Sequence, residues 1–112
     1  MNVKHEFTQR GGVWCDTIYA TWPFAKIFVT PEKIKLKVLW KEYDLESNQI
    51  IELREYHGIF SKGMIIEYNK SNYPHRMVFW TFNLEKLKKS LAVLGHTIGP
   101  PKKSDGWWRG GP

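Results

Sequence analysis

Lys33-Ile34-Lys35-Leu36-Lys37-Val38-Leu39-Trp40-Lys41 carries the clearest periodic signal in the chain. Ile34, Leu36, Val38 and Trp40 fall on one side of an alternation, Lys33, Lys35, Lys37 and Lys41 on the other, and Leu39 breaks it. A strand sends successive side chains to opposite faces, so a period of two predicts one apolar and one charged face. A helix would spread the same lysines around its circumference.

Similar segments lie on both sides. Upstream, Pro31-Glu32-Lys33 reads as a short turn opened by proline, and residues 24–30 as a strand. Trp22-Pro23 predicts a bend or an edge, because proline offers no N–H to a ladder. Residues 13–20 read as the first strand, with Gly11-Gly12 separating it from a polar lead-in over residues 1–12. Downstream, residues 44–49 read as a polar turn and residues 50–56 as a strand with Ile51 and Leu53 inward. An irregular connection lies between Gly58 and Gly63, followed by a strand over residues 64–68. Asn69-Lys70-Ser71-Asn72 has turn chemistry. Residues 76–82 form a last strand, apolar on both faces at Met77-Val78-Phe79-Trp80 and therefore expected to be covered on both sides. The period then changes. Leu84, Leu87, Leu91 and Leu94 make one stripe of a helix over residues 84–94, with Asn83 as N-cap and Gly95 as the residue that ends it. The Gly/Pro-rich tail, residues 99–112, contains Trp107-Trp108. The expected fold is mainly β with one C-terminal α-helix, as a single domain over residues 13–98.

At 112 residues the chain has room for one core. Its 42% hydrophobic and 15% aromatic content argues against disorder. No apolar run reaches the length of a membrane span, and residues 1–10 lack the apolar centre of a secretory signal. A lone Cys15 excludes an internal disulfide and fits a reducing, cytoplasmic setting; its expected role is a small buried apolar side chain. The net charge of +6 favours acidic partners such as anionic lipid, nucleic acid or an acidic protein face without specifying one, and spare lysines on a solvated surface are the preferred account of it.

The stretches Trp22-Pro23-Phe24-Ala25, Val29-Thr30-Pro31-Glu32-Lys33-Ile34-Lys35-Leu36, Tyr43-Asp44-Leu45, Tyr56-His57-Gly58-Ile59-Phe60, Lys62-Gly63-Met64-Ile65-Ile66 and Phe79-Trp80-Thr81-Phe82, with the closing Leu91 and Leu94-Gly95, resemble small bacterial proteins of pleckstrin-homology-like (PH-like) fold. The resemblance covers residues 21–95. It implies a partly open antiparallel β-barrel of two near-orthogonal sheets, six to seven strands in all, capped by the helix. It also implies a groove between a sheet edge and that helix, where an extended peptide can add as a strand. The tail from Gly99 has no counterpart in the resemblance.

No constellation spells out a reaction. His5, His57, His75 and His96 are scattered, without the close spacing of metal sites. Ser61, Ser90 and Ser104 lack a nucleophile context, and Asp44 and Glu46 are expected to be solvated in a turn. The glycine pairs lack the Lys-Ser/Thr of phosphate loops. The chain is therefore read as a non-enzyme without metal or cofactor. The candidate anion surface is Lys26, Lys33, Lys35, Lys37 and Lys41. Trp107, Trp108 and Arg109 are candidates for a partner or membrane anchor, since tryptophans beside a cation suit an interface. The favoured function is non-catalytic binding of a protein or peptide. The alternative is peripheral attachment to anionic lipid at the inner membrane face, through the lysine strand and the Trp tail. Self-association is open, and single-stranded nucleic acid, stacked on Tyr68, Tyr73 and Trp80 beside Arg76, ranks lower.

Overall fold

The computed structural model describes residues 6–15, 19–57, 62–71 and 76–103. Eight strands precede, or follow, one helix: β1 Phe7–Cys15, β2 Tyr19–Val29, β3 Lys33–Val38, β4 Lys41–Glu46, β5 Ile50–His57, β6 Lys62–Tyr68, β7 Arg76–Trp80, α1 Leu84–Val93 and β8 Gly99–Lys103. They hydrogen bond in the order β4-β3-β2-β1-β7-β6-β5-β8. Every neighbouring pair is antiparallel except β5 and β8. The architecture is thus the expected antiparallel β half-barrel with a helix near the C-terminus. Its ladder runs unbroken, so the two sheets implied by the resemblance are one curled sheet here.

The curl is made in β1. Its first half, Phe7 to Gly11, pairs with Val29 to Ala25 of β2; its second half, Gly12 to Cys15, pairs with Trp80 to Met77 of β7. The β1–β2 register jumps between Gly11 and Val13, and the extra residues on β2 include Trp22-Pro23, whose peptide bond is cis. A Cβ on Gly11 would lie 2.3 Å from the Trp80 carbonyl oxygen, and one on Gly12 would lie 2.3 Å from the Trp80 indole. The glycine pair is therefore the bend of a strand that starts at Phe7, not a separator in front of one. The residues read as a lead-in are half strand, because nothing in their polar pattern betrays that only one end of β1 is buried.

Two further differences have local causes. The polar turn expected over residues 44–49 is strand β4 plus one 3-10 turn, Ser47–Gln49. The hairpin before it was hidden, because its two-residue loop is Leu39-Trp40 rather than a Gly/Asn pair. Ile51, expected inward, is 67% exposed. It sits at a register shift between Ile50 and Glu52, which turns it out of the alternation, while Leu53 is buried.

The core combines Ile27, Val29, Ile34, Leu36 and Leu45 from one half of the sheet with Leu53, Met64, Ile66 and Phe79 from the other. Met77, Val78 and Phe79 are all fully buried, as a strand covered on both faces requires. Leu84, Leu87, Leu91 and Leu94 of the helix region close this core, with α1 against β6. Asn83 Oδ1 accepts from the Lys86 N–H at 3.2 Å. At the other end Gly95 has φ +94°, and the His96 and Gly95 N–H groups donate to Leu91 and Ala92 carbonyls. This is a Schellman ending, and the positive φ explains the glycine. His96 Nε2 then donates to the Thr30 carbonyl at 2.7 Å, tying the end of the helix to the end of β2.

Replacing Gly12 by alanine should destabilise the fold by about 1–3 kcal/mol, the usual range for overpacking. Urea unfolding checks it, and an unchanged midpoint would contradict the tight β1–β7 approach.

Candidate functional site

The lysine face lies on the outside of β2 and β3, and its neighbour β4 supplies the matching acids. Lys33 stands opposite Glu46, Lys35 opposite Asp44 and Lys37 opposite Glu42. Lys33 Nζ is 3.7 Å from Asp44 Oδ1, and Lys35 Nζ is 3.7 Å from Glu42 Oε1. Exposed pairs of this kind contribute about 0–1 kcal/mol, so their main effect is to cancel charge. The side chains of Lys26 and Lys35 also reach over the Phe28 ring, each with its Nζ 5.3 Å from the ring centroid. Asp44 and Glu46 are accordingly on a strand facing lysines, not in a solvated turn.

The cancellation is uneven. Along one cross-strand row Arg10 of β1 stands opposite Lys26 of β2, which stands opposite Lys37 of β3. Among the described residues Arg10, Lys26, Lys37 and Lys41 make no ion pair. Arg10, Lys26 and Lys37, with Phe24 and Leu39, line a shallow depression of 290 Å³. Of the five lysines singled out in the sequence, Lys33 and Lys35 are neutralised and Lys26 and Lys37 belong to this uncompensated end. Lys41, expected on the same face, stands opposite the buried Val38 and in step with the buried Tyr43 and Leu45, because the two-residue loop puts it on the other face of the sheet. Arg10 joins them because β1 begins earlier than its sequence suggests.

The β3–β4 hairpin tip completes the patch. Val38 pairs with Lys41, leaving Leu39 and Trp40 as the loop. Trp40 is 82% exposed, so it does not continue the apolar face of β3. Leu39 has φ +59°, a left-handed conformation that costs an L-residue other than glycine roughly 1–2 kcal/mol. Its amide donates to the Phe24 carbonyl at 3.1 Å, which holds the tip beside the exposed Phe24.

A second polar cluster joins helix to sheet. The Glu55 side chain on β5 is almost buried and receives Lys88 Nζ from α1 on one oxygen and His57 Nε2 at 2.5 Å on the other. Chiefly the Lys88 hydrogen bond, then the His57 one, holds the Glu55 carboxyl below its usual range. The same contact with Glu55 raises Lys88. Farther along β5, Arg54 Nε pairs with Glu52 at 3.0 Å. The sequence offered no sign of the Glu55 cluster, whose members meet only when α1 lies over the sheet.

The β5 edge is taken by the chain itself. β8 runs parallel to β5, with Arg54 opposite Gly99, Tyr56 opposite Lys102 and His57 opposite Lys103. The start of the presumed tail is therefore a sheet strand. Trp107, Trp108 and Arg109 lie outside the described residues, as do His5, His75, Tyr73 and Ser104, and the Cys15 and Arg76 side chains. Tyr68 and Trp80, weighed as base-stacking residues, are core residues at 7% and 8% exposure. Among the described residues no three His, Cys, Asp or Glu side chains group as metal ligands, and no helix is long and apolar enough to cross a membrane. Comparison with protein-family models, curated proteins and solved structures finds no match.

Two variants test these local readings. Glu55→Gln should cost about 1–3 kcal/mol through weakened charge-assisted hydrogen bonds. The wild-type advantage should be fully present above about pH 4.5, the ordinary value of this carboxyl, and should shrink as pH falls through its depressed folded value. Thermal melts of both proteins across that range would show the two curves converging in acid. Leu39→Gly should raise stability by about 1 kcal/mol, since the tip conformation is strained for leucine; a lower urea midpoint would refute the strain.

Proposed function

We propose that the chain is a non-catalytic binding module of PH-like type whose partner is a protein or peptide segment that adds as a strand at β5. The single observation that carries the reading is β8: the β5 edge, beside the helix-capped core, already takes an extended segment by main-chain pairing. Affinity in this mode comes from backbone hydrogen bonds, so the edge that accepts residues 99–103 offers the same groups to another chain. The resident strand is poorly equipped to hold its place. Pro100 and Pro101 have no N–H, and the pairing shifts register between Arg54 and Tyr56.

The PH-like assignment draws support from the antiparallel order β4-β3-β2-β1-β7-β6-β5 with a helix closing the core. The opposite edge suits a partner less well. The Asp44 carbonyl on β4 already accepts from Lys70 Nζ at 2.8 Å, a lysine guard of the kind that blunts sheet edges. Non-catalytic action fits the state of the Glu55 cluster, whose acid and bases are bonded to each other. A cytoplasmic setting is part of the same proposal.

The test uses a chain ending at Ile98 and a synthetic peptide of residues 99–112. The shortened chain should keep its near-ultraviolet circular dichroism and bind the peptide with a dissociation constant in the micromolar-to-millimolar range by calorimetry. A folded, shortened chain that takes up neither this peptide nor a version with its prolines replaced by valine would remove the edge as a binding site.

A further inference from the structure

Ala25, Ile27 and Val29 of β2 turn into the core, so Phe24, Lys26 and Phe28 turn outward, an aromatic, a cation and an aromatic in succession. Alternate positions of this kind lie about 6.6 Å apart along a strand. Phe24 is 57% exposed. Beside it stand two more exposed rings, Trp22 at 43% and Phe82 at 78%, in edge contact at 5.6 Å between centroids. Phe82 also meets Trp80 edge-on at 5.8 Å, and Trp80 is buried with its indole packed on Gly12. The exposed rings are thus braced by the core, and a braced ring loses less freedom when a ligand covers it.

The cations adjoin these rings. Arg10 lies two residues before Gly12 on β1 and stands opposite Lys26, which stands opposite Lys37. Like charges side by side on one face of a sheet are destabilising. Among the described residues none of the three has an acid in an ion pair, and Lys26 Nζ rests over the Phe28 ring instead. Pro23 and Phe24 share one depression with all three cations, so the rings and the uncompensated charges form a continuous surface.

We propose that this surface binds single-stranded nucleic acid, with bases stacking on Trp22, Phe24 and Phe82 and the phosphates between them held by Arg10, Lys26 and Lys37. A nucleic-acid strand repeats the same two elements as the face of β2, a flat ring and a charge, once per unit. A duplex hides its base faces in its own stack, so only a single strand offers them to side chains. An acidic peptide would satisfy the cations but brings no flat group at each step for the rings. Rings accept any base and cations any phosphate, so similar affinity for RNA and DNA and little sequence preference are expected. The stacking residues differ from those singled out in the sequence: Tyr68 and Trp80 are buried, and the exposed rings come from β2 and the residues just after β7. The surface lies apart from the β5 edge of the proposed peptide site, so either site can fail without the other.

Fluorescence anisotropy of labelled oligouridine and oligothymidine, each of about ten nucleotides, tests this with the full chain. Both should bind, and log affinity should fall against log salt with a slope of about −2, as three phosphate contacts on a single strand require. Lys26→Ala/Lys37→Ala should flatten that slope to about −0.7, the value for one remaining contact. Phe24→Ala and Phe82→Ala should each weaken binding at least about fivefold while the salt slope and the melting temperature stay the same, since both rings are exposed. The control Lys86→Ala/Lys89→Ala removes the same charge from exposed helix positions and should keep most of the binding. The proposal is overturned by no binding, by a duplex of the same length binding as tightly, or by a control as damaging as the Lys26/Lys37 pair. Ring variants that bind as before would overturn it as well. So would polyglutamate of equal charge displacing the oligonucleotide at equal concentration, which would assign the surface to an acidic protein.

Discussion

The close approach of Gly11-Gly12 to Trp80 is the constraint on which the rest of the fold depends. Only where β1 has no side chains can β7 cross at that distance, and only then can one strand serve both halves of the sheet. The curl brings Ile27, Ile34 and Leu36 of the first half over Met64, Ile66 and Phe79 of the second. It also leaves an opening that the leucine stripe of α1 fills. The His96–Thr30 and Lys88–Glu55 contacts then fasten the helix to both halves, so the plug is held by polar ties at its rim and by apolar packing at its centre.

The curl also distributes charge. A basic strand read alone looks like a uniform surface for anions. Folded against β4 it becomes a graded one, with Lys33 and Lys35 paired to acids and Lys26 and Lys37 aligned with Arg10. What distinguishes the two ends is not the lysines but where the β4 acids reach: Asp44 and Glu42, which stand opposite Lys35 and Lys37, pair one row over with Lys33 and Lys35 and leave Lys37 without an ion pair. Three of the exposed large apolar residues, Phe24, Leu39 and Trp40, lie at the uncompensated end; Tyr19, Trp22, Ile51, Phe82 and Val93 are exposed as well. The helix side of the molecule differs in kind: there Glu55, His57 and Lys88 are bonded to one another and an extended segment occupies the sheet edge.

Much of the fold was legible because its signals are local. The Lys33–Val38 alternation, the leucines of α1, the Asn83 cap and the Gly95 ending each depend on residues a few positions apart, where backbone geometry alone sets the period or the turn. The misreadings came where a distant element overrides local chemistry. Leu39-Trp40 looks like strand because the usual turn residues are missing, and the tip is held by Phe24 from another strand. Ile51 looks inward until the register shift with β6 turns it out. Pro100-Pro101 looks like unpaired tail until β5 lies beside it. The candidate site was legible by residue type but not by arrangement. Lys26 and Lys37 were picked out, Lys41 was put on their face although the hairpin sends it to the other, and Arg10 and Trp40, which complete the patch, were assigned to a lead-in and to the core.

By itself the sequence determined a mainly β domain, a single helix with its stripe and caps, and an excess of positive charge on one strand. These follow from side-chain periodicity, capping chemistry and composition, which act within a few residues. Only the tertiary structure decided which cations have acids opposite them, which aromatics face water and which sheet edge is already filled. Register and curl set those outcomes, and they are properties of strands far apart in the chain, fixed here by how closely β7 can pass two glycines of β1.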